Sequence, residues 1–379
     1  MRWTTLPLLL ALLSPFAPAS PVFAQDEPAP MDIESDVPVQ VQLAMDTEPD
    51  GIPWEFTTEG DVVCVAMSQG WTDRLVKLLQ QVEVVDDDAN WIGGDTHLVY
   101  LGNLMGYGDS NLESLHLLHK LSKQAEEAGG RVHMLMGSTD FVNLRYMLST
   151  MPASSYEHLA RVDSQARLDE RLGRMLEELW EFNSDREVEL RKQLRRNYER
   201  FFNTAHKPGA MEFMDEYAPG TELGDWFRSM NTVISINNIM YVAGGIHPYY
   251  ADVPFERLNA YHRAEANKDA VFVPVMADIS TAPYIWRGLS FPNGPADNID
   301  VNEMLAGLGY PLMVVGHSPS KYGESLIRHR VLHVDCNFMA AREQAAYNAV
   351  IVRGDRFVIN NGGRERELRV PSPLSRQAD

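Results

Sequence analysis

The sequence predicts an α/β fold in which two packed β-sheets are flanked by helices. In the first half of the chain, apolar runs end in Gly-rich loops and lead into helix-like segments, as in residues 92–108 (IGGDTHLVYLGNLMGYG). After Gly220 the pattern changes to short strands joined by tight turns. Strand–loop–helix units followed by antiparallel strands are typical of a two-sheet core with helices outside.

Three strand–loop–helix units open the predicted domain. Predicted strands cover residues 61–67, 99–101 and 132–136, and predicted helices cover residues 71–82 and 111–128. Leu residues recur at helical spacing in both helices, and Gly129-Gly130 ends the second one. Loops that follow such strands lie along one edge of the sheet, so we expect three loops to meet there.

The second half contains a helical insertion and then strands. Residues 154–202 are charged and have a helical apolar stripe, which predicts a helical cap over the loops. Predicted strands follow at 232–236, 239–242, 313–315, 331–334, 349–352 and 357–359. Asn237-Asn238 joins the first pair, a typical hairpin sequence. We therefore expect one domain over 51–370 and a loose tail over 371–379.

Composition and charge limit the classes of function that are compatible with this chain. Of the 379 residues, 45% are hydrophobic and 23% are charged, which is typical of a globular chain with a sizeable core. The formal net charge is −20. Nucleic-acid binding depends on Lys and Arg that neutralise phosphates, so we expect no nucleic-acid partner. An unknown protein or a phosphorylated ligand is the expected partner.

The N-terminus predicts export. Arg2, an apolar run at 8–13 (LLLALL) and Val22-Phe23-Ala24 form the pattern of a signal peptide that is cleaved after Ala24. The apolar run is shorter than the about 20 residues that a membrane span needs, and we expect no membrane span elsewhere. Residues 25–50 carry acids and prolines but no Lys or Arg, which predicts a disordered or extended leader. The mature protein is expected in the periplasm or outside the cell.

Two cysteines, Cys64 and Cys336, lie in apolar, strand-like runs. This setting favours two buried thiols. An oxidising compartment also permits a disulfide, but two cysteines so far apart in sequence do not establish one. The pairing stays open at this point.

Five loop motifs carry a resemblance to a known family. They read AMSQG (66–70), GNLMGYG (102–108), GSTD (137–140), VAGG (242–245) and GHSP (316–319). Their order resembles calcineurin-like metallophosphoesterases, and most of all the Shewanella-like protein phosphatases, whose motifs read GDxHG, GDxxDRG, GNHE, VHGG and GHTP. The segments WIGGDTHL (91–98) and PYIWRG (283–288) also resemble family segments. The resemblance spans about residues 61–363 and implies the calcineurin-like fold.

The resemblance implies six positions that bind a pair of divalent metal ions, which activate a water for attack on phosphorus. In this chain these positions hold Met67, Gln69, Asn103, Ser138, Ala243 and His317. Hard cations prefer charged oxygens and neutral imidazoles, so His317 is the one retained ligand type. We therefore expect no metal cofactor.

The other catalytic positions implied by the resemblance are also replaced. Thr139 stands at the proton donor, Gly106 at its orienting carboxylate and Tyr107 at the phosphate-binding Arg. Thr139 cannot replace an imidazole as a proton donor near neutral pH. The remaining candidates for ligand binding are Arg287, His317 and His247.

These replacements predict an exported, catalytically inactive relative of the phosphatases that acts by binding a protein or a ligand. One alternative is an active phosphoesterase with an atypical site, for example one weakly held metal ion at His317 and Asn103 or a different water-activating group. If the chain is active, one or two manganese, iron or zinc ions are expected. Another alternative is a phosphate sensor that keeps Arg287 without turnover.

Overall fold

The computed structural model describes residues 39–268, 281–288, 301–317, 326–327, 330–334 and 348–368. Two six-stranded mixed sheets form the centre. Sheet one has the strand order β12-β11-β10-β2-β3-β4, and sheet two has the order β1-β5-β6-β7-β9-β8. The strands are β1 Glu55–Phe56, β2 Val62–Val65, β3 His97–Tyr100, β4 Arg131–Met134, β5 Val233–Ile236, β6 Ile239–Val242, β7 Leu312–Val315, β8 Leu326–Ile327, β9 Val331–His333, β10 Asn348–Arg353, β11 Arg356–Asn361 and β12 Arg364–Leu368.

Helices cover the outer faces of the sheets. They are α1 Val39–Asp46, α2 Thr72–Gln81, α3 Asn111–Glu127, α4 Ser138–Leu144, α5 Ser164–Phe182, α6 Val188–Ala205, α7 Ala210–Glu216, α8 Glu222–Arg228, α9 Phe255–Ala266 and α10 Val301–Gly307. Among the helices of the described residues, none is both long enough and apolar enough to cross a membrane.

The main core lies between the two sheets. Parallel strands β2 and β3 are buried along their whole length, which explains why they read as continuous apolar runs instead of alternating ones. Their inward side chains meet apolar side chains of sheet two. This central cluster includes Val62, Cys64, Val99, Ile234, Tyr241, Val314, Leu332 and Val350. The predicted fold of two packed mixed sheets with flanking helices is confirmed.

Two further apolar clusters attach the helices. Leu residues of α2 and α3, such as Leu78 and Leu118, are fully buried on the outer side of sheet one. On the outer side of sheet two, α9 contributes Leu258. The predicted helical insertion is observed as α5 and α6, and Tyr198 and Phe202 of α6 are buried in the cluster that also contains α2 and α3. The insertion therefore shares its core with the rest of the domain.

The structure differs from the prediction at residues 39–50, which are folded and not an extended leader. Helix α1 packs on α9 and buries Val41 and Ala44. Arg257 donates to the carbonyl oxygen of Met45 at 2.6 Å, and Arg263 forms an ion pair with Asp50. Composition alone missed this helix because the acids that follow it, Glu48 and Asp50, are paired with arginines of α9, and its buried apolar residues are only two.

The predicted hairpin at residues 232–242 is confirmed. β5 and β6 pair antiparallel, and Asn237 and Asn238 have φ of 49° and 62°, as a two-residue hairpin turn requires. The signal peptide, residues 25–38, Cys336 and the tail at 371–379 lie outside the described residues. The disulfide question is therefore open, and Cys64 is fully buried in β2.

Candidate functional site

The predicted site positions meet at one end of the two sheets. Met67 and Gln69 follow β2, Asn103 follows β3, and His317 follows β7 of sheet two. The backbone N–H of Gln69 donates to the carbonyl oxygen of Asn103 at 3.0 Å, which joins the first two loops. In sheet two, the N–H of Gly316 donates to the carbonyl oxygen of Ala243 at 2.9 Å. The loops therefore converge as the sequence predicts.

Two glycines allow the loops to approach each other. A Cβ at Gly137 would collide with the backbone nitrogen of Asn103, and a Cβ at Gly108 would collide with the carbonyl group of Gly70. A residue with a side chain would push these loops apart. The glycines of the loop motifs thus fix the backbone of the site.

Four site residues have a left-handed backbone. Met67, Gln69, Asn103 and His317 have φ of 53°, 50°, 57° and 69°. This region costs about 1–2 kcal/mol for a residue with a side chain, although Asn tolerates it. Such residues cluster at functional sites when the surrounding structure holds them there. The sharp loop geometry is therefore kept even where the side chains have changed.

A buried carboxylate holds the second and third loops together. Both oxygens of Asp140 accept backbone N–H groups, from Asn103, Leu104, Met105 and Gly137, at 2.6 to 3.2 Å. Burial raises the pKa of Asp140 to about 6, against these four hydrogen bonds, which lower it. Since both oxygens are occupied by backbone groups, Asp140 acts as a structural anchor of the loops.

Asn103 is the centre of a side-chain network. Its Oδ1 accepts the backbone N–H of Thr139 at 3.0 Å and the Thr139 hydroxyl at 3.1 Å. The Ser138 hydroxyl also donates to Oδ1, at 3.3 Å. Its Nδ2 lies 3.3 Å from Met67 Sδ and 2.9 Å from His317 Nδ1. The predicted ligand positions therefore bond to one another.

His317 meets a cation at its second ring nitrogen. Arg287 Nη2 lies 3.1 Å from His317 Nε2. Burial, reinforced by the charge of Arg287 and by His333, holds the pKa of His317 well below its usual value. The imidazole is therefore neutral and lies between an amide and a guanidinium.

These residues do not fit a pair of divalent metal ions. Within the described part of the chain, no three His, Cys, Asp or Glu side chains come together to hold a metal ion. Gln69 Oε1 is buried without a hydrogen-bond partner among the described residues, but it is a neutral oxygen. The groups that contact Asn103 Nδ2 and His317 are the Met67 thioether and the Arg287 guanidinium. A metal cation near the Arg287 guanidinium would be repelled, and among the described residues of these loops no charged oxygen is free to replace its water, since both oxygens of Asp140 accept backbone N–H groups.

The other predicted residues are placed apart from this network. Tyr107 is 47% exposed at the rim of the loops. The backbone N–H of Gly106 donates to Asn111 Oδ1 at 2.6 Å. His247 is buried against Trp286, with ring centroids 5.1 Å apart, and accepts the N–H of Tyr249. Burial lowers the pKa of His247 to about 4, so it is a neutral, packed histidine.

Two residues that hold the loops were not predicted from the sequence. Asp140 and Asn111 together bond to backbone groups of the second and third loops. The signal for Asp140 is an acid three residues after Gly137, at the start of α4, where its side chain reaches back to the N–H of Gly137. No comparable local signal marks Asn111.

Comparisons with known proteins agree with this architecture. No family model matches the chain. A curated protein, Shewanella-like protein phosphatase 2 of Arabidopsis thaliana, is 33% identical over 61 residues, which is 16% of this chain and 16% of the relative. A crystal structure of a cold-active protein tyrosine phosphatase has a TM-score of 0.62 at 21% identity and covers 87% of this chain and 83% of its own.

A second structure, of the cold-active protein tyrosine phosphatase of a psychrophilic Shewanella species, has a TM-score of 0.59 at 21% identity. It covers 86% of this chain and 84% of its own. These similarities show that the chain has the fold of the calcineurin-like phosphoesterases. The predicted resemblance is thus confirmed at the level of the fold.

Proposed function

We propose that this chain is a catalytically inactive relative of the metal-dependent phosphatases and acts by binding a ligand or a protein. The observation that carries the proposal is the contact between Arg287 Nη2 and His317 Nε2 at 3.1 Å. The one retained ligand type thus faces a guanidinium on one side and the Asn103 amide on the other. A neutral histidine in this setting supports binding without metal chemistry.

The groups that hydrolysis needs are replaced as well. Attack on phosphorus requires an activated water, and cleavage requires a group that protonates the leaving oxygen. Thr139 uses its hydroxyl to donate to Asn103 Oδ1. Its alcohol does not release a proton near neutral pH. The alternative is an active phosphoesterase with an atypical metal site. Measurement of metal content and turnover distinguishes the two.

The deciding experiment measures metal content and turnover of the purified chain. The protein is incubated with manganese, iron and zinc, desalted and analysed by elemental mass spectrometry, and then assayed with p-nitrophenyl phosphate. We expect far less than one ion per chain and the same background turnover as in His317→Ala. One or two tightly held ions, with turnover that His317→Ala abolishes, would establish the alternative.

A converse experiment restores the family motifs on this scaffold. The variant carries Met67→Asp, Gln69→His, Asn103→Asp, Gly106→Asp, Tyr107→Arg, Ser138→Asn, Thr139→His and Ala243→His. A Cβ at position 106 would lie 3.2 Å from Gln69 Cβ, so the loops need to give by only a few tenths of an ångström. We expect the variant to gain stoichiometric manganese. A folded variant that binds none would mean that the loops are not aligned as the resemblance implies.

Export is also part of the proposal. The support is the pattern at residues 1–24, with its apolar run and the small residue Ala24. Expression of the full chain in a bacterial host, followed by N-terminal sequencing of the protein released from the periplasm, tests it. A mature chain that begins at Gln25 is expected, and an uncleaved chain that stays inside the cell would contradict it.

A further inference from the structure

A cleft of about 540 Å³ lies between α8, α9 and the chain that follows α1. Binding sites for small molecules usually have volumes of about 300–1,000 Å³. One part of the wall is apolar and includes Ile52 and Ala260, and the other part is charged. The described residues that line the cleft do not come from the loops of the candidate site, so the cleft is not part of that site.

Arg228 of α8 lies in the charged part of the wall and is only 7% exposed. Its Nη1 donates to the carbonyl oxygen of Leu144 at 3.4 Å and to Asn267 Oδ1 at 3.2 Å. Its Nη2 donates to the Tyr146 hydroxyl at 3.1 Å and to the carbonyl oxygen of Tyr217 at 3.5 Å. The Nε–H group is buried and has no acceptor among the described residues. All four acceptors are neutral, and all four distances exceed the usual length of about 2.9–3.0 Å.

The carboxylates that line the cleft do not pair with Arg228. Both oxygens of Asp50 accept from Arg263, at 2.7 and 2.6 Å. Asp225 accepts a backbone N–H, and Glu48 lies 3.9 Å from another arginine of α9. Every hydrogen bond that Arg228 makes to a described residue is thus to a neutral oxygen. A buried charge without an ionic partner is costly, so a negatively charged group of a ligand would stabilise this place.

Asn267 is the acceptor of Arg228 that a ligand can replace. Leu144 and Tyr217 contribute backbone carbonyl oxygens and are buried in the core, whereas Asn267 is exposed at the end of α9 and lines the cleft. A carboxylate oxygen in place of Asn267 Oδ1 would accept from Arg228 Nη1 at about 2.8 Å, a usual distance for a charge-assisted hydrogen bond. It would also supply the negative charge that the neutral amide lacks.

We propose that this cleft binds a small zwitterion of the amino-acid type. Its carboxylate accepts from Arg228 Nη1 in place of Asn267, and its ammonium group faces the exposed carboxylates of Glu48 and Asp225. A ligand with two negative charges is disfavoured, because Asp50 lines the same cleft together with these two acids. The apolar part of the wall favours an apolar side chain on the ligand. This binding does not depend on the proposed function, since it involves neither the site loops nor a metal ion.

Two substitutions of Asn267 test the missing charge. Asn267→Asp keeps the shape of the side chain and places a carboxylate at the acceptor that the ligand replaces, so it should raise Tm by pairing with Arg228. Asn267→Ala removes the competing oxygen and should leave the affinity for the ligand unchanged or higher. Asn203→Asp is the matched control, since Asn203 is exposed in the last turn of α6. There an added negative charge opposes the helix dipole and should lower Tm slightly.

The experiment is isothermal titration calorimetry at pH 7 in EDTA with L-leucine and, separately, with the dipeptide leucylleucine. We expect at least one of them to bind to the unchanged chain, to Asn203→Asp and to Asn267→Ala, with at least a tenfold weaker Kd in Asn267→Asp. Amidation of the carboxylate of the bound probe, or acetylation of its amine, should each weaken binding at least tenfold. Tighter binding of leucylleucine would support a peptide ligand, and equal or tighter binding of leucine would support a free amino acid.

Several results would overturn this binding site. Binding of neither probe to the unchanged chain is the first. Equal affinity in Asn267→Asp, with a thermal transition that shows a folded protein, would exclude the contact between the carboxylate and Arg228. A Tm of Asn267→Asp that falls as in Asn203→Asp would show that Arg228 lacks no ionic partner. Metal content and turnover are measured separately and decide the proposed function, so either conclusion can fail alone.

Discussion

The carboxylate of Asp140 permits a quantitative test of how the site loops are held. Each of its oxygens accepts two backbone N–H groups, from Asn103 and Gly137 on one oxygen and from Leu104 and Met105 on the other. Asp140→Asn keeps the size of the side chain but turns one oxygen into an NH2 group. That group then faces two N–H donors that have no other described acceptor in the loops.

The expected decrease in the free energy of unfolding follows from the hydrogen bonds that are lost. A hydrogen bond to a charged group contributes about 1.5–3 kcal/mol, so the loss of two predicts a destabilisation of about 3–6 kcal/mol. The comparison is best made at pH 8, where Asp140, with its pKa of about 6, is ionised. Because the raised pKa of Asp140 shows that burial disfavours its charge, the neutral Asn side chain recovers part of this loss, and we expect the lower end of the range.

The assay is urea unfolding followed by tryptophan fluorescence, with hydrogen exchange of the loop amides as a local readout. Asp87→Asn is the control, since Asp87 is exposed in a turn, and it should change stability by less than about 0.5 kcal/mol. A destabilisation by Asp140→Asn of under about 1 kcal/mol, with exchange in the second loop unchanged, would refute the role of Asp140 as an anchor.

Two further predictions concern the pH dependence of stability and the replacement of two glycines by alanine. Burial lowers the pKa of His262 to about 3 and that of His247 to about 4. In the unfolded chain both pKa values are about 6.5, so unfolding takes up protons below that pH. The stability of the fold is therefore lost as the pH falls from 6.5 toward 4. Each histidine accounts for about 2 kcal/mol of this loss at pH 5. Acid unfolding curves of His262→Phe should therefore show a weaker dependence of stability on pH. An unchanged dependence would contradict the buried, neutral state of His262. Gly137→Ala should lower Tm by driving the new methyl group into Asn103, whereas Gly173→Ala, inside α5 with open space around it, should stabilise by about 0.5–1 kcal/mol in the same thermal melts. Equal effects of the two substitutions would show that the loops are not tightly packed.

Much of the fold could be predicted because it is encoded locally. β2 and β3 are continuous apolar runs, and Asn237-Asn238 has the backbone preference of its turn. Helix α1 was not predicted, since its two buried residues, Val41 and Ala44, gain their stabilisation from α9, more than 200 residues later in the chain. The sequence near α1 contains no signal that indicates this distant partner helix.

The site was predicted in part for the same reason. The loop motifs place Met67, Asn103 and His317 together, as the structure has them. The contact between Arg287 and His317 could not be foreseen, because it depends on how residues 281–288, between α9 and α10, lie against the loop after β7. The sequence indicates which groups are missing from the site, whereas only the structure indicates which groups face each other instead.

The hydrogen bond between Asn103 and His317 also has a consequence for folding. It joins residues 214 positions apart and connects the loop after β3 in one sheet to the loop after β7 in the other. Contacts at such separation form only after both sheets have docked, so the site is assembled late in folding. A substitution that removes this bond, such as His317→Ala, should therefore speed unfolding of the domain more than it slows folding.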